Sequence, residues 1–381
     1  MSPSDLLVVA GEASGDLHAA RLLRALRERR PEISAFGMGS NELRRAGAEL
    51  LADSREISVV GIAEALGVLK RAREILGDLV RAAERRRPAA AVLVDFPDFN
   101  LRLARELRWL GIPVVYYVSP QVWAWRRGRV RQMAETVDRM LVLFAFETSF
   151  YERHRVPVEH VGHPLVDEVP VLAQAWESLP AGALPERYEI ALLPGSRRSE
   201  LEALLPVQLQ ALALIAKEVP VRARLIRANS IPLSDIESRL PSGAALEIVS
   251  EDRFEAIAGA HLALCASGTA TLETGLLGTP MIVVYRLSGL TWKLARLLVR
   301  VPHASLVNLV LGRRTVPELL QNDATPARIA ATALGLLRSR SEIDRIRLGL
   351  SQLRQRLGRP GASGRAADAV LALLDRRSDA A

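Results

Sequence analysis

At 381 residues the chain is longer than one hydrophobic core of ordinary size organises, so two domains are expected. The single cysteine, Cys265, excludes intrachain disulfides and cysteine-built metal sites and points to a reducing compartment. The net charge of +8 suits a phosphate-rich partner, but no nucleic-acid recognition module accompanies it, and with lysine only at positions 70, 217 and 293 much of the basicity is a bias toward arginine.

From Met1 the chain passes through Ser4 and Asp5 straight into Leu6–Ala10, with no basic region, long apolar core or small-residue cleavage site of a secretion signal. No window offers the roughly 20 uninterrupted apolar residues of a bilayer span. A cytoplasmic protein is therefore expected. Short apolar runs, each followed by a charged helical stretch, recur at Leu6–Ala10, Ala91–Val94, Val114–Val118 and Met140–Phe144, and again at Ile190–Leu193, Leu246–Val249, Leu262–Cys265 and Met281–Tyr285. Strands alternating with helices make parallel sheets covered on both faces, so the fold class is α/β with two Rossmann-like, doubly wound domains facing across a cleft. The expected division is 1–165 for the first domain and 170–340 for the second, with Pro170, Pro180 and Pro185 marking a linker. Residues 341–381 read as helices that pack back on the first domain.

In such sheets, ligands meet the loops that leave the carboxyl ends of the strands. The first strand ends in Gly11-Glu-Ala-Ser14-Gly15-Asp16. This loop lacks the third glycine of a dinucleotide fingerprint and the Gly-Lys-Ser/Thr of a P-loop, so NAD and ATP are poor candidates. Gly15 permits close backbone approach, while Ser14 and Asp16 serve either to cap a helix or to meet a ligand.

The run Asp95-Phe-Pro97-Asp98-Phe-Asn100 places two carboxylates around a proline-fixed turn, a suitable position for a general base. Ser119-Pro-Gln121-Val-Trp123-Ala-Trp125-Arg126 closes the next strand with aromatic rings and arginines, fit either for sugar, acyl or phosphate contact or for covering the core.

In the second half, Leu193-Pro-Gly195-Ser196-Arg197 precedes a helix whose start is marked by Ser199 and Glu202 at capping-box spacing. Helix N–H groups together with Arg197 suit a pyrophosphate. Ser267-Gly268-Thr269-Ala-Thr-Leu-Glu273 opens another helix, with Glu273 able either to accept ribose hydroxyls or to favour the helix dipole.

In this order, GEASGD, DFPDFN, SPQVWAWR, Gly162-His-Pro-Leu165, LPGSR and SGTATLE resemble the lipid-A-disaccharide synthase family across nearly the whole chain. The resemblance implies a glycosyltransferase-B fold and inverting transfer from UDP-2,3-diacylglucosamine to 2,3-diacylglucosamine 1-phosphate. The products are a β-1,6-linked disaccharide of lipid A biosynthesis and UDP. It implies Asp98, then Asp95, as base. Gly195, Ser196, Arg197, Ser267, Gly268, Thr269 and Glu273 fall to the nucleotide, joined by Asn308, Glu318 and Gln321. Gly15, Ser14, Asp16, Gln121, Trp123 and Arg126 fall to the acceptor.

The same resemblance implies no cofactor and no metal. It places the protein peripherally at the inner membrane surface of a Gram-negative-type bacterium and is compatible with a homo-oligomer. Two apolar-basic stretches, Ile57–Arg73 with Val59, Val60 and Ile62, and Leu290–Val301 with Trp292 and Leu297, are the expected contacts with lipid or else ordinary core-facing helices. Ala145, where the family commonly has proline, and Ser40, in a loop with fewer glycines than in relatives, are the local departures. A muramyl-lipid N-acetylglucosaminyltransferase and a UDP-sugar 2-epimerase are the nearest enzyme alternatives, and a non-catalytic nucleotide-sugar or lipid-binding protein is the alternative from another class.

Overall fold

A computed structural model describes residues 5–57, 65–123, 128–180, 182–241, 243, 246–286 and 302–378. Arg126, Val59, Val60, Ile62, Trp292 and Leu297 lie outside the described residues. The chain divides into one unit of Met1–Pro164 with Gly358–Ala381 and another of Leu165–Leu357.

The first unit holds strands β1 (Asp5–Ala10), β2 (Ser34–Gly39), β3 (Glu49–Asp53), β4 (Ala90–Val94), β5 (Val114–Tyr117), β6 (Arg139–Val142) and β7 (Val158–His160). They form one parallel sheet in the order β3-β2-β1-β4-β5-β6-β7. The four central strands, β1, β4, β5 and β6, are the continuous apolar runs legible in the sequence, as burial on both faces requires. β2 is hidden by its glycines: Gly37, at φ +149°, lies so close to β1 that a Cβ would collide with the Val8 carbonyl.

The helix Ala13–Arg29 covers this sheet, and the last helix, Ala362–Ser378, packs against it through Ala366, Ala367 and Val370. The ion pairs Arg29–Asp368 and Arg30–Asp375 flank that contact. Of the segment 341–381, the part to Leu357 instead belongs to the second unit, where Leu350 and Leu353 close over Gly275.

The second unit holds β8 (Tyr188–Leu193), β9 (Val221–Ile226), β10 (Leu246–Val249), β11 (Leu262–Ala266), β12 (Met281–Tyr285) and β13 (Glu318–Leu320). These are parallel in the order β10-β9-β8-β11-β12-β13. The proline-rich stretch read as a linker packs into this unit: Trp176 is fully buried and its indole N–H donates to the His261 carbonyl at 2.8 Å. Among the described residues, one helix, Arg198–Ala216, is long and apolar enough by composition alone to cross a membrane. It buries Leu201, Leu204, Leu205 and Ile215 within the second unit and packs on the helix Pro326–Leu337.

Candidate active site

Each sheet reverses its winding once, between β1 and β4 in the first unit and between β8 and β11 in the second. Ligands of doubly wound sheets bind outside the strand ends at such switch points. GEASGD, DFPDFN, LPGSR and SGTATLE leave β1, β4, β8 and β11 at these two places, and SPQVWAWR leaves β5, next to β4.

At the first switch point, Gly11 serves packing. A Cβ there would fall inside the Phe96 ring, so the β1 loop and the β4 loop fit together only with glycine at this position. Asp95 and Phe96 follow β4 with φ of +45° and +49°, and Val118 follows β5 at +62°. Left-handed backbone at non-glycine residues costs on the order of 1–3 kcal/mol each and persists only where the surroundings impose it. Here the Asp95 carbonyl is held by the Tyr116 hydroxyl at 2.5 Å and the Asn100 side-chain amide at 2.8 Å. The half-buried Asp95 carboxyl is pushed up to about 6, first by burial and then by the negative charge of Glu12. Asp98, one turn on at the start of the helix Pro97–Trp109, is 69% exposed and forms an ion pair with Arg129.

The other residues assigned to the acceptor separate. Ser14 and Gln121 are exposed. Asp16 is buried, and its carboxylate accepts the backbone N–H groups of Ser40 at 2.7 Å, Glu42 at 2.8 Å and Leu43 at 3.3 Å. It therefore caps the helix Asn41–Arg45 and ties β2 to the first helix; Ser40 takes part through its backbone. Gly15 would meet only ordinary contacts if it carried a Cβ. Trp123 points inward, its indole N–H donating to Glu147 at 3.0 Å.

At the second switch point, Gly195 has φ +117° and faces Glu200 so closely that a Cβ would lie 2.6 Å from the Glu200 Cβ. The Glu200 carboxylate accepts the backbone N–H of Ser196 at 2.9 Å and of Arg197 at 3.3 Å. This corrects the expected capping pair: the helix begins at Arg198, so Glu200 rather than Glu202 stands at the third position, and Ser199 lies inside the first turn. Arg197, at the cap position, has no acceptor to offer, which leaves the first helical N–H groups without a side-chain cap. Three other helices of this unit are capped by the hydroxyls of Ser305, Thr325 and Ser339. The Arg197 side chain is 71% exposed.

The helix Thr269–Leu276 likewise starts without a side-chain cap, at Gly268 with φ +144°, beyond which lies open space. Ser267 donates to the Ala304 carbonyl at 2.9 Å, and Thr269 is exposed. Glu273, one turn further, is pushed up by burial and drawn back by Arg253, whose guanidinium lies 3.3 Å away.

Asn308 and Glu318 are committed elsewhere. Asn308 is fully buried: its amide donates to the Val316 carbonyl and to Glu318, and its oxygen accepts the N–H groups of Thr315 and Val316. All four hydrogen-bonding positions of its side chain are filled. Burial raises the Glu318 carboxyl, but bonds from Ser305, Ala304 and Asn308 outweigh it and hold the group below its ordinary range. Together they build the loop before β13, and Gln321 follows that strand in left-handed conformation at φ +51°. Sequence reasoning missed Glu147, Glu200 and Arg129 as organising residues, because each partners a residue of another loop or takes a helix position that only the true helix start defines.

The profile of the family described as Lipid-A-disaccharide synthetase matches residues 6–372. The lipid-A-disaccharide synthase of Myxococcus xanthus (strain DK1622) is 46% identical over 377 residues, covering 98% of each chain. That of Anaeromyxobacter sp. (strain K) is 48% identical over 373 residues, 97% of each. Among solved structures, Acinetobacter baumannii MurG superposes with a TM-score of 0.60 at 15% identity, over 96% of this chain and 99% of that one, a likeness of fold. Sequence, topology and full-length similarity agree that the chain belongs to the lipid-A-disaccharide synthase family of glycosyltransferases.

Proposed function

We propose that the chain joins UDP-2,3-diacylglucosamine to 2,3-diacylglucosamine 1-phosphate by one inverting displacement, with the acceptor on the first unit and the donor on the second. The observation that supports this most is the opposite chemistry of the two switch points. One holds the carboxylates of Asp95 and Asp98 on a strained loop; the other holds Arg197 and the open glycine turn of Gly268 at the starts of two helices.

An α-linked donor becomes a β-linked product in a single step that needs one base to take the 6-hydroxyl proton of the acceptor. The electrostatics favour Asp95 over Asp98 for this. A carboxyl raised to about 6 holds a proton well enough to accept one near neutrality, whereas the Asp98 carboxylate is already engaged by the Arg129 guanidinium. Asp98 and Arg129 then orient the acceptor. On the second unit, Arg197 and the two helix N-termini take up the negative charge that builds on the departing UDP, and Glu273 meets the ribose. Incubating the protein with both acylated sugars and weighing the product by mass spectrometry tests the reading; release of UDP without a disaccharide contradicts it.

The protein meets its lipid substrates at the inner membrane surface through the stretches around Val59–Ile62 and Trp292–Leu297, which lie outside the described residues. Attraction of about 1 kcal/mol per basic residue, screened by salt, gives vesicle sedimentation that weakens as salt rises. Equal binding to neutral and anionic vesicles contradicts this part of the proposal.

A further inference from the structure

We infer that Glu147 is a positioning residue for the acceptor: its buried carboxylate clamps the loop after β5 to the end of β6 and so sets the aromatic surface on which the acceptor is seated. This rests on the reading that the first unit takes the acceptor.

Glu147 stands in the first turn of the helix Ala145–Arg153 and is 2% exposed. A carboxylate out of water is costly unless hydrogen bonds replace its hydration. As an ordinary capping residue it needs only one partner, the Phe144 N–H, which donates to Oε2 at 3.1 Å. Its other oxygen serves a different loop. Oε1 accepts the Ser119 hydroxyl at 2.6 Å and the Trp123 indole N–H at 3.0 Å. Tyr151 of the same helix adds a second pin, its hydroxyl reaching the Pro120 carbonyl at 3.3 Å. The helix start is therefore intact with Ala145 at its first position.

The clamp fixes a set of rings. Trp123 meets Phe146 edge-on at 5.0 Å, Phe146 stacks on Phe144 at 5.4 Å, and Phe144 lies 5.3 Å from His163. Phe146 is 36% exposed at the carboxyl end of β6, on the same edge of the sheet as Asp95 and Asp98. Beyond Trp123 the chain leads to Arg129, the partner of Asp98. Displacing Trp123 thus disturbs the exposed Phe146 ring that it meets edge-on. Glu147 itself has no surface for a substrate, so it acts through Trp123 and Ser119.

The test is steady-state kinetics of the full chain with both acylated sugars, beside calorimetry with UDP. Glu147→Gln turns one accepting oxygen into a donor facing donors. Hydrogen bonds to charged groups are worth about 1.5–3 kcal/mol, so the acceptor KM is expected to rise about 10- to 100-fold. Meanwhile kcat stays within about threefold and the Kd for UDP within about twofold of wild type. Trp123→Phe, which removes only the N–H and part of the ring, raises the acceptor KM less, and the double variant is no worse than Glu147→Gln alone. An acceptor KM within about twofold of wild type in Glu147→Gln, or a matching loss of UDP affinity, overturns the inference. If Glu147→Gln does not fold, Ser119→Ala and Trp123→Phe carry the test, and an unchanged acceptor KM in both overturns it. A wild-type protein that makes no disaccharide strikes the functional reading; one that does, beside an unaffected Glu147→Gln, strikes the clamp alone.

Discussion

The two switch points share a topology and differ in what fills them. At the first, side chains crowd in: the Phe96 ring takes the space over Gly11, and Asp95 and Phe96 are forced into left-handed backbone. At the second, Gly268 faces open space, while the Glu200 side chain takes the space over Gly195 and accepts the N–H groups of Ser196 and Arg197. A doubly wound sheet thus fixes where a ligand binds and leaves the sign of the site to a few loop residues. On the proposed reading, carboxylates on a strained turn make one end a proton acceptor, and Arg197 with the open Gly268 turn makes the other an anion site.

The sharpest way to break this contrast is at its acidic end. Asp95→Asn is expected to lower kcat about 100- to 10,000-fold, the range of general-base catalysis, while UDP binding measured by calorimetry stays intact. Asp98→Asn is expected to lose less, and the reverse ranking returns the base to Asp98. Because burial and Glu12 raise Asp95, its carboxylate forms only as pH passes about 6. The wild-type kcat/KM therefore rises through about pH 6; a limb near the ordinary carboxylate range contradicts the assignment.

At the basic end, Arg197→Ala and Glu273→Ala are expected to weaken UDP binding roughly 10- to 100-fold by calorimetry, the scale of a charge-assisted hydrogen bond. If both bind as tightly as wild type, the nucleotide site lies elsewhere. If Arg197 and the helix ends carry the leaving-group charge, turnover survives a chelator, and its abolition contradicts that division of labour.

Two glycines sharpen the contrast. Gly11→Ala pushes a Cβ into Phe96 and is expected to cost about 1–3 kcal/mol of stability by overpacking, read from denaturant unfolding. Gly268→Ala has room for its methyl but the wrong backbone, so a loss of about 1 kcal/mol is expected together with weaker UDP binding. Equal effects of the two substitutions on UDP affinity erase the distinction.

The smallest effect is electrostatic. Burial raises the Glu147 carboxyl to about 7, above its value in the unfolded chain. A group raised on folding contributes stability that is full below its unfolded pKa and lost as pH rises through the folded one. Glu147→Gln, which cannot ionise, should gain in Tm relative to wild type between pH 5 and pH 8; a constant difference shows that the carboxyl does not titrate there.

The sequence by itself determined the central strands and the turns at their ends. β1, β4, β5, β6, β8, β11 and β12 are buried on both faces and must be unbroken apolar runs, and the glycines and prolines after them mark the turns at their ends. Other strands escaped that reading: β7 and β13 are only three residues long, and β9 alternates arginines with apolar residues because one face meets water. Only the tertiary structure decided which polar groups remain available. Asp16 and Asn308 carry the right chemistry at the right place in the chain, yet backbone N–H groups from elsewhere in the chain consume them. Glu147 and Arg129 acquire their partners, Trp123 and Asp98, 24 and 31 residues away in the chain. Hydropathy is a local property that a strand must display in its own residues, whereas a hydrogen bond between loops depends on a distance that exists only once the sheet has brought them together.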